Sequence, residues 1–485
     1  MTTASDIALP VRNPLVEGRV VHPAGYRTRR FLNWFPLGLA YALLYMGRYN
    51  ITVAKGALGS LLPPDAYGQV YGLGAAIYGC AFLLNGPLTD RFGGRRAMLV
   101  ALFGAGAANL GMGLYTYSVL HMANPAAASV TAVMSGLFAL NMYFQSFGAV
   151  AIIKVNAPWF HIRERGGFSG IFGIMISSGI WFAFDWNERI LEFAKAHSSS
   201  GMLATWLVFL VPAGALGAMC LFELLFLRDR PSSVGFQDID TGDAHADEDD
   251  RPVPTGELLR RILTHPVILT IAAIEFCTGA LKDGTLQWMK VFAHGQADAL
   301  AAAGKTLAGT GPKFLLDNEG LILMVAGIVG GNFAGWVSDK VFGSRRAPAA
   351  GLLYVLLIAS SISMYVFLGN AWALAVLLFL MAIGILGTHG VLSGTATMDF
   401  GGRKGAATAV GVIDGFVYLG SATQAYVLGK LLKTSSVTYD AASGGVVAHG
   451  WSRWPLFLVP FSVVGLFLLL RIWHAMPDRK KKAAH

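Results

Sequence analysis

Apolar runs of span length, separated by short polar connections, recur about twelve times along the chain. They begin near Phe31, Tyr67, Ala97, Val130, Gly167, Met202, Pro266, Leu315, Ala349, Trp372, Ala406 and Trp454. About 20 apolar residues carry one α-helix across the hydrocarbon of a bilayer. Helices satisfy their own backbone hydrogen bonds there, which open strands cannot do. The pattern predicts an all-α membrane protein of about twelve transmembrane helices.

Composition removes the soluble alternative. The chain is 54% hydrophobic and 13% charged, with a mean hydropathy of +0.55. A soluble domain carries roughly 25% charged residues, so lipid must be the solvent for much of this surface. The net charge of +9 does not point to nucleic acid, because the basic residues sit in alternate connections. They are Arg27, Arg29 and Arg30; Arg91, Arg95 and Arg96; Arg163 and Arg165; Arg228, Arg230, Arg260 and Arg261; Arg345 and Arg346; Arg403 and Lys404; and the run Arg479 to Lys482. By the positive-inside rule both termini are expected in the cytoplasm, which needs an even number of spans. In a bacterium the membrane would be the inner one. Residues 1–30 show no signal-peptide pattern. Cys80, Cys220 and Cys277 fall within spans, in no metal or disulfide spacing, and are expected to be small buried residues. No metal or cofactor is expected.

The segment Gly86 to Arg96, with Asp90, Arg91 and Arg95, recurs as Gly335 to Arg346, with Asp339, Lys340 and Arg345. Residues 86 and 335 stand 249 positions apart, about half of the 485 residues. Repetition on that scale marks a duplicated bundle. The expected organisation is a tail (1–30), a six-helix bundle (31–228), an acidic linker (229–262), a second six-helix bundle (263–475) and a basic tail (476–485). The linker is charged and poor in aromatics, so it is expected to be mobile. The Asp and basic residues of the two repeats are expected to bridge helices and gate rocking.

Ionisable residues deep inside spans are costly and therefore informative. Arg48 lies about 17 residues past Phe31, with Tyr41 and Tyr45 on the same helical face. A guanidinium presents a fork of donors suited to phosphate or carboxylate. Lys282 stands at the corresponding place in the second half, so the two cations are expected to face each other across a central cavity. Glu275, seven residues before Lys282, is a candidate partner for it. Asp414 is a candidate to pair with Lys282 or Arg48, or to carry a coupling proton. His389 is expected to be a hydrogen-bonded packing residue or a proton relay.

Taken together, these residues resemble the organophosphate:phosphate antiporter family of the major facilitator superfamily. The resemblance rests on Tyr41, Tyr45 and Arg48; Gly86 to Arg96; Arg165-Gly-Gly; Arg230 to Gly235; Gly335 to Phe342; Arg403-Lys-Gly-Ala-Ala-Thr-Ala; and Tyr418-Leu-Gly. It implies two six-helix bundles around a central cavity. It also implies that Arg48 and the cation of span seven bind a phosphoryl group, with Tyr41, Tyr45, Tyr78 and Tyr418 lining the pocket. Bacterial glycerol-phosphate carriers have arginine where this chain has Lys282. Their span-two lysine falls at Phe82, their span-five histidine at Ile176, and a span-seven tyrosine at Gly279. A less cationic, roomier pocket is therefore expected. The resemblance implies a monomeric antiporter of a phosphorylated organic anion and inorganic phosphate, and no enzyme. The alternatives are a proton- or sodium-coupled carboxylate symporter and a non-transporting sugar-phosphate receptor.

Overall fold

The computed structural model describes residues 22–125, 129–161, 164, 174–175, 177–197, 204–239, 255–343, 345–442 and 444–475, with two short paired strands at Leu15–Val16 and Arg19–Val20. Apart from a short helix at Thr255–Thr264 before the second half, the helices of the two halves are α1 (Tyr26–Leu58), α2 (Pro64–Phe92), α3 (Gly94–Leu120), α4 (Val130–Asn156), α5 (Asn187–Ala196) and α6 (Leu207–Phe226). They continue with α7 (Pro266–Ala302), α8 (Gly311–Trp336), α9 (Arg346–Val366), α10 (Ala371–His389), α11 (Thr397–Leu431) and α12 (Arg453–Arg471). A π-helical turn, Phe182–Trp186, leads into α5. A hairpin of Ser436–Asp440 and Gly445–His449 joins α11 to α12.

Seven helices (α3, α4, α6, α8, α9, α10 and α12) are apolar and long enough to cross a membrane on those grounds alone. Helices α1, α2, α7 and α11 are longer still, at 33, 29, 37 and 35 residues. They carry the polar residues that meet between the halves, which dilutes their hydropathy. The outward faces are apolar: Phe103, Leu225, Val366, Val376 and Phe467 are all more than half exposed.

We call the face at which α1 begins the near face and the opposite one the far face. The two halves are joined toward the far face. Helices α2 and α11 pack so closely there that a Cβ on Gly68 would lie 2.3 Å from the Ala425 carbonyl oxygen. Tyr67 donates to Gln287 Oε1 at 2.8 Å. Asp65 pairs with Lys433 at 2.9 Å.

Toward the near face the first half is clasped on itself. Tyr26 donates to the Trp159 carbonyl at 3.1 Å. Arg30 reaches both oxygens of Glu164, at 2.8 and 3.2 Å, and His22 meets the same carboxyl at 2.9 Å. Burial pushes the Glu164 carboxyl up, but the bonds from Arg30 and His22 outweigh this and hold it below its ordinary value. Phe236 and Ile239 pack into this cluster. The first eleven residues of the expected mobile linker, 229–239, are therefore anchored to the first half. Residues 240–254, which hold most of the acidic run, lie outside the described residues, as do the basic residues of 476–485. Of the cysteines only Cys277 is buried, Cys220 is half-buried, and Cys80 is exposed on α2. The expectation of three buried thiols is corrected accordingly.

Candidate functional site

Arg48 is wholly buried midway along the interior of α1. Its guanidinium donates through Nε to Gln145 Oε1 (2.9 Å), through Nη1 to Tyr418 Oη (2.9 Å) and through Nη2 to Tyr78 Oη (3.0 Å). It also lies over the rings of Tyr45 and Tyr78, 4.6 Å from each centroid. Among the described residues no carboxylate pairs with it. Buried charges are normally paired with an opposite charge. Here the cation is held by neutral acceptors and π faces alone.

Gln145 is itself fixed from behind. Its Nε2 donates to Asn141 Oδ1 (3.0 Å), which also accepts from Asn109 (3.0 Å). Asn141 donates to the Gly47 carbonyl (3.0 Å), one residue before Arg48. The chain of amides joins α1, α3 and α4 and sets the guanidinium plane. Tyr41 stands edge-on to Tyr45 at 5.4 Å, one turn further toward the near face. The hydroxyls that meet Arg48 thus come from Tyr78 and Tyr418, while Tyr45 offers its ring.

Lys282 lies 5.0 Å from the centroid of the Tyr418 ring. The expected face-to-face pair of cations is therefore separated by one phenol, which meets Arg48 with its oxygen and Lys282 with its π face. Lys282 Nζ is 3.9 Å from Asp283 Oδ1. Asp283 also accepts from Tyr49 (3.4 Å) and Tyr71 (3.4 Å) of the first half. Its neighbour on the chain, not Glu275, is the carboxylate beside Lys282. Glu275 instead pairs with His389, at 2.9 Å. Asp414 accepts a short hydrogen bond from Ser393 and pairs with neither Lys282 nor Arg48. The Lys282 side chain is 14% exposed and that of His389 36%, whereas Arg48 is closed off. Water thus reaches the cluster from the side of Lys282 and His389.

The departures from the bacterial glycerol-phosphate pattern have structural meanings. Phe82 stacks on Tyr418 with centroids 6.1 Å apart and 20° between planes. Gly279 does not enlarge the pocket: a Cβ there would lie 1.9 Å from the Val417 carbonyl oxygen, and one on Gly420 equally close to the Phe276 carbonyl oxygen. The space is taken by the α7–α11 contact, which corrects the expected roominess. Ile176 lies outside the described residues. A separate, almost wholly apolar groove of about 320 Å³, lined by Phe276, Phe416 and Phe461 among others, lies between α7, α11 and α12.

The repeated motif braces each half internally. Asp339, in a π-helical turn, pairs with Arg346 at 2.8 Å, and Arg345 Nε donates to the Phe342 carbonyl at 3.2 Å. Lys340 is exposed. In the first copy the backbone N–H of Arg95 donates to Asp229 at 2.8 Å and its side chain to the Leu224 carbonyl at 2.6 Å. Gly93, at φ 86°, makes room for that aspartate, whose oxygen lies 3.0 Å from where a Cβ would be. Arg91 is exposed, and the Asp90 side chain lies outside those described.

The sequence profile described as Major Facilitator Superfamily matches residues 37–425. The chain belongs to that superfamily. It is a multi-pass membrane transporter and not an enzyme, with the superfamily's twelve-helix fold. Relatives similar over nearly the full length include a membrane sensor protein and transporters named for phosphate esters. It is 24% identical to the membrane sensor protein UhpC of Salmonella typhimurium, covering 94% of this chain and 97% of the relative. It is 24% identical to a glycerol-3-phosphate transporter of Bacillus subtilis, covering 95% of each. It is 22% identical to a probable hexose phosphate transport protein of Chlamydia pneumoniae, covering 97% and 96%. These relatives agree with membership of the organophosphate:phosphate antiporter family within the superfamily. In structure it is similar to a bacterial homologue of the human lysosomal transporter Spinster in an inward-facing, unoccupied conformation. The TM-score is 0.68 at 14% identity, covering 92% and 97%.

Proposed function

We propose that this chain is a secondary transporter that exchanges a phosphorylated organic anion for inorganic phosphate by alternating access. The observation that carries this is Arg48, a buried guanidinium with no carboxylate partner and two of its donors resting on phenol hydroxyls. A phosphoryl oxygen is a stronger acceptor than a phenol, because it brings the negative charge that pairs with the guanidinium and can take two of its donors at once. An anion entering from the side of Lys282 displaces Tyr418 from Arg48 Nη1 and meets both cations. Arg48 belongs to the first half and Lys282 to the second, so the bound anion ties the halves together and lowers the barrier to rocking. The phosphate-ester names of the relatives support phosphorylated substrates, sugar phosphates among them. Tyr41 and Tyr45 continue the lining toward the near face. Glu275, His389 and Asp414 are candidates for charge balance, and the Asp90–Arg91–Arg95 and Asp339–Lys340–Arg345 motifs for gating.

The alternation of basic connections supports a cytoplasmic near face, which makes the present arrangement the inward-facing one. A bacterial inner membrane fits the bacterial relatives. One chain holds the whole site, so a monomer suffices.

The test is counterflow of labelled inorganic phosphate in phosphate-loaded liposomes, chased by hexose phosphates, glycerol phosphate, phosphoglycerate and plain carboxylates. Phosphorylated compounds should release the label and carboxylates should not, and Arg48→Ala should abolish exchange. Uptake that needs a proton or sodium gradient and no counter-substrate would instead identify a symporter. The relation to membrane sensor proteins favours one second reading, a receptor. Binding of a sugar phosphate without any flux would select it.

A further inference from the structure

A second set of charges is shut between the halves, toward the far face from Arg48. The segment leading into α5 supplies Asp185 and α5 supplies Glu188, both from the first half; α7 supplies Lys290 and His294, and α8 supplies Glu319. All five are buried. Asp185 is fully engaged: its two oxygens accept from the backbone N–H of Gly320 (2.6 Å) and Leu321 (2.9 Å). Gly320 allows this approach, since a Cβ there would lie 2.9 Å from the Asp185 oxygen. Lys290 donates to the Leu316 carbonyl at 2.6 Å. Leu316 O is the helical acceptor for the Gly320 N–H, so both ends of one helix bond have partners from outside α8. Lys290 also lies 3.3 Å from Glu188, which in turn meets His294 at 3.1 Å.

Glu319 is left over. Neither of its oxygens accepts a hydrogen bond. Its nearest cation, Lys290 at 3.9 Å, is already shared by Glu188 and a carbonyl. Glu188 and Glu319 thus compete for one lysine in a site closed to water, with the Asp185 carboxyl close by. A buried carboxylate without a hydrogen bond is unfavourable, and the group relieves this by holding a proton.

We propose that Glu319 is a proton-binding site built into the far-face seam. It holds a proton while the seam is shut and gives it to far-face water when the halves part. The proton returns from the same side on closing, so none is moved across the membrane. Ionised, Glu319 confronts Asp185 and Glu188 across the seam, and their repulsion favours parting. While the seam is shut, Lys290 and His294 stay on Glu188 whether or not Glu319 is ionised; both contacts cross between the halves and break on opening. The other titratable groups nearby are Arg189 and Lys195 of α5, which face Asp185 and Glu188, Tyr67 of α2, which faces Glu319, and Lys313 with Asp317 and Glu192, which form their own cluster at the rim. A rise in far-face pH should therefore open the far face. This holds whatever the transporter carries.

The test needs no substrate. Spin labels are placed at the exposed far-face positions Ser60→Cys and Ala303→Cys, one in each half, with the three native cysteines replaced by alanine. Their separation is measured by double electron–electron resonance in nanodiscs at a series of values between about pH 5.5 and about pH 8.5. The long-distance population should grow severalfold across that range. Glu319→Gln should hold the short distance at every pH. Glu319→Asp and His294→Gln should keep the response. A distribution indifferent to pH in the parent, an undiminished response in Glu319→Gln, or its loss in His294→Gln would overturn the proposal.

Discussion

Arg48 is fixed by acceptors rather than by a counter-ion, and this decides what its substitution does. Lysine keeps the charge and loses the planar fork. Losing one bond from the fork to a phosphoryl oxygen removes about 1.5–3 kcal/mol, so Arg48→Lys should weaken phosphate binding by about tenfold to a hundredfold. Isothermal titration with inorganic phosphate reads this directly. Gln145→Ala strands the buried Nε and should lower stability by about 1–3 kcal/mol, visible in thermal unfolding without ligand. Outside the spans, Glu164 provides a pH test. Its carboxyl is held below its ordinary value near 4.5. Its contribution to stability is therefore complete above that value and is lost as pH falls through the lower, folded-state value. The melting temperatures of the parent and Glu164→Gln should differ near neutrality and converge as the pH drops below about 4.5. Arg48 was legible because a charge in an apolar run is conspicuous, and Tyr41 and Tyr45 because their spacing puts them on its face, whereas Tyr78 and Tyr418, on other helices, entered only through the family resemblance. Gln145, Asn141 and Asn109 were not legible, since uncharged amides barely disturb hydropathy. Spacing also favoured Glu275 as the partner of Lys282, because it compares faces of one helix and cannot see that α10 brings His389 to Glu275.

At the scale of helices, most span starts were legible to within a few residues, but α11 begins at Thr397 and not near Ala406, because Arg403 and Lys404 lie inside the helix; the starts expected near Gly167 and Met202 lie outside the described residues. Contacts between helices were not legible. Gly279 read as missing side-chain volume, yet it is where α11 rests on α7. Gly279→Ala should therefore crowd the Val417 carbonyl and destabilise the bundle by about 1–3 kcal/mol, as overpacking does. A pocket-lining glycine would tolerate the change. Thermal unfolding of the two forms, compared with their phosphate affinity, separates the cases. The same limit hid Glu188 and Glu319. Counted along their own spans they are acids near an interface, and only the packing of α5 on α7 and α8 shows them enclosed.

Across the whole molecule the duplication was visible in the repeated motif, although the copies make different contacts: the second pairs Asp339 with Arg346 within its own turn, and the first ties Arg95 to Asp229 and Leu224. Which face is shut was not visible, since the two states of a rocking protein share one sequence. Closure at the far face predicts a specific lock. A Cβ on Gly72 would lie 3.8 Å from the Ala425 Cβ, a separation suited to a disulfide. Gly72→Cys with Ala425→Cys, without native cysteines, should stop exchange when oxidised and recover it on reduction. Counterflow before and after a reducing agent checks this.

The clasp around Tyr26 has a practical consequence. Phe236 and Ile239 lie in it with Trp159, so the first half takes its closing residues from beyond α6. The chain can be cut and its two parts produced from separate genes, but the position of the cut matters. A first fragment ending at Phe226 gives up half of its own hydrophobic seal, whereas one ending after Ile239 keeps it. Only the longer fragment should accumulate stably and assemble with a second fragment beginning near Thr255, which co-purification of the two pieces would reveal.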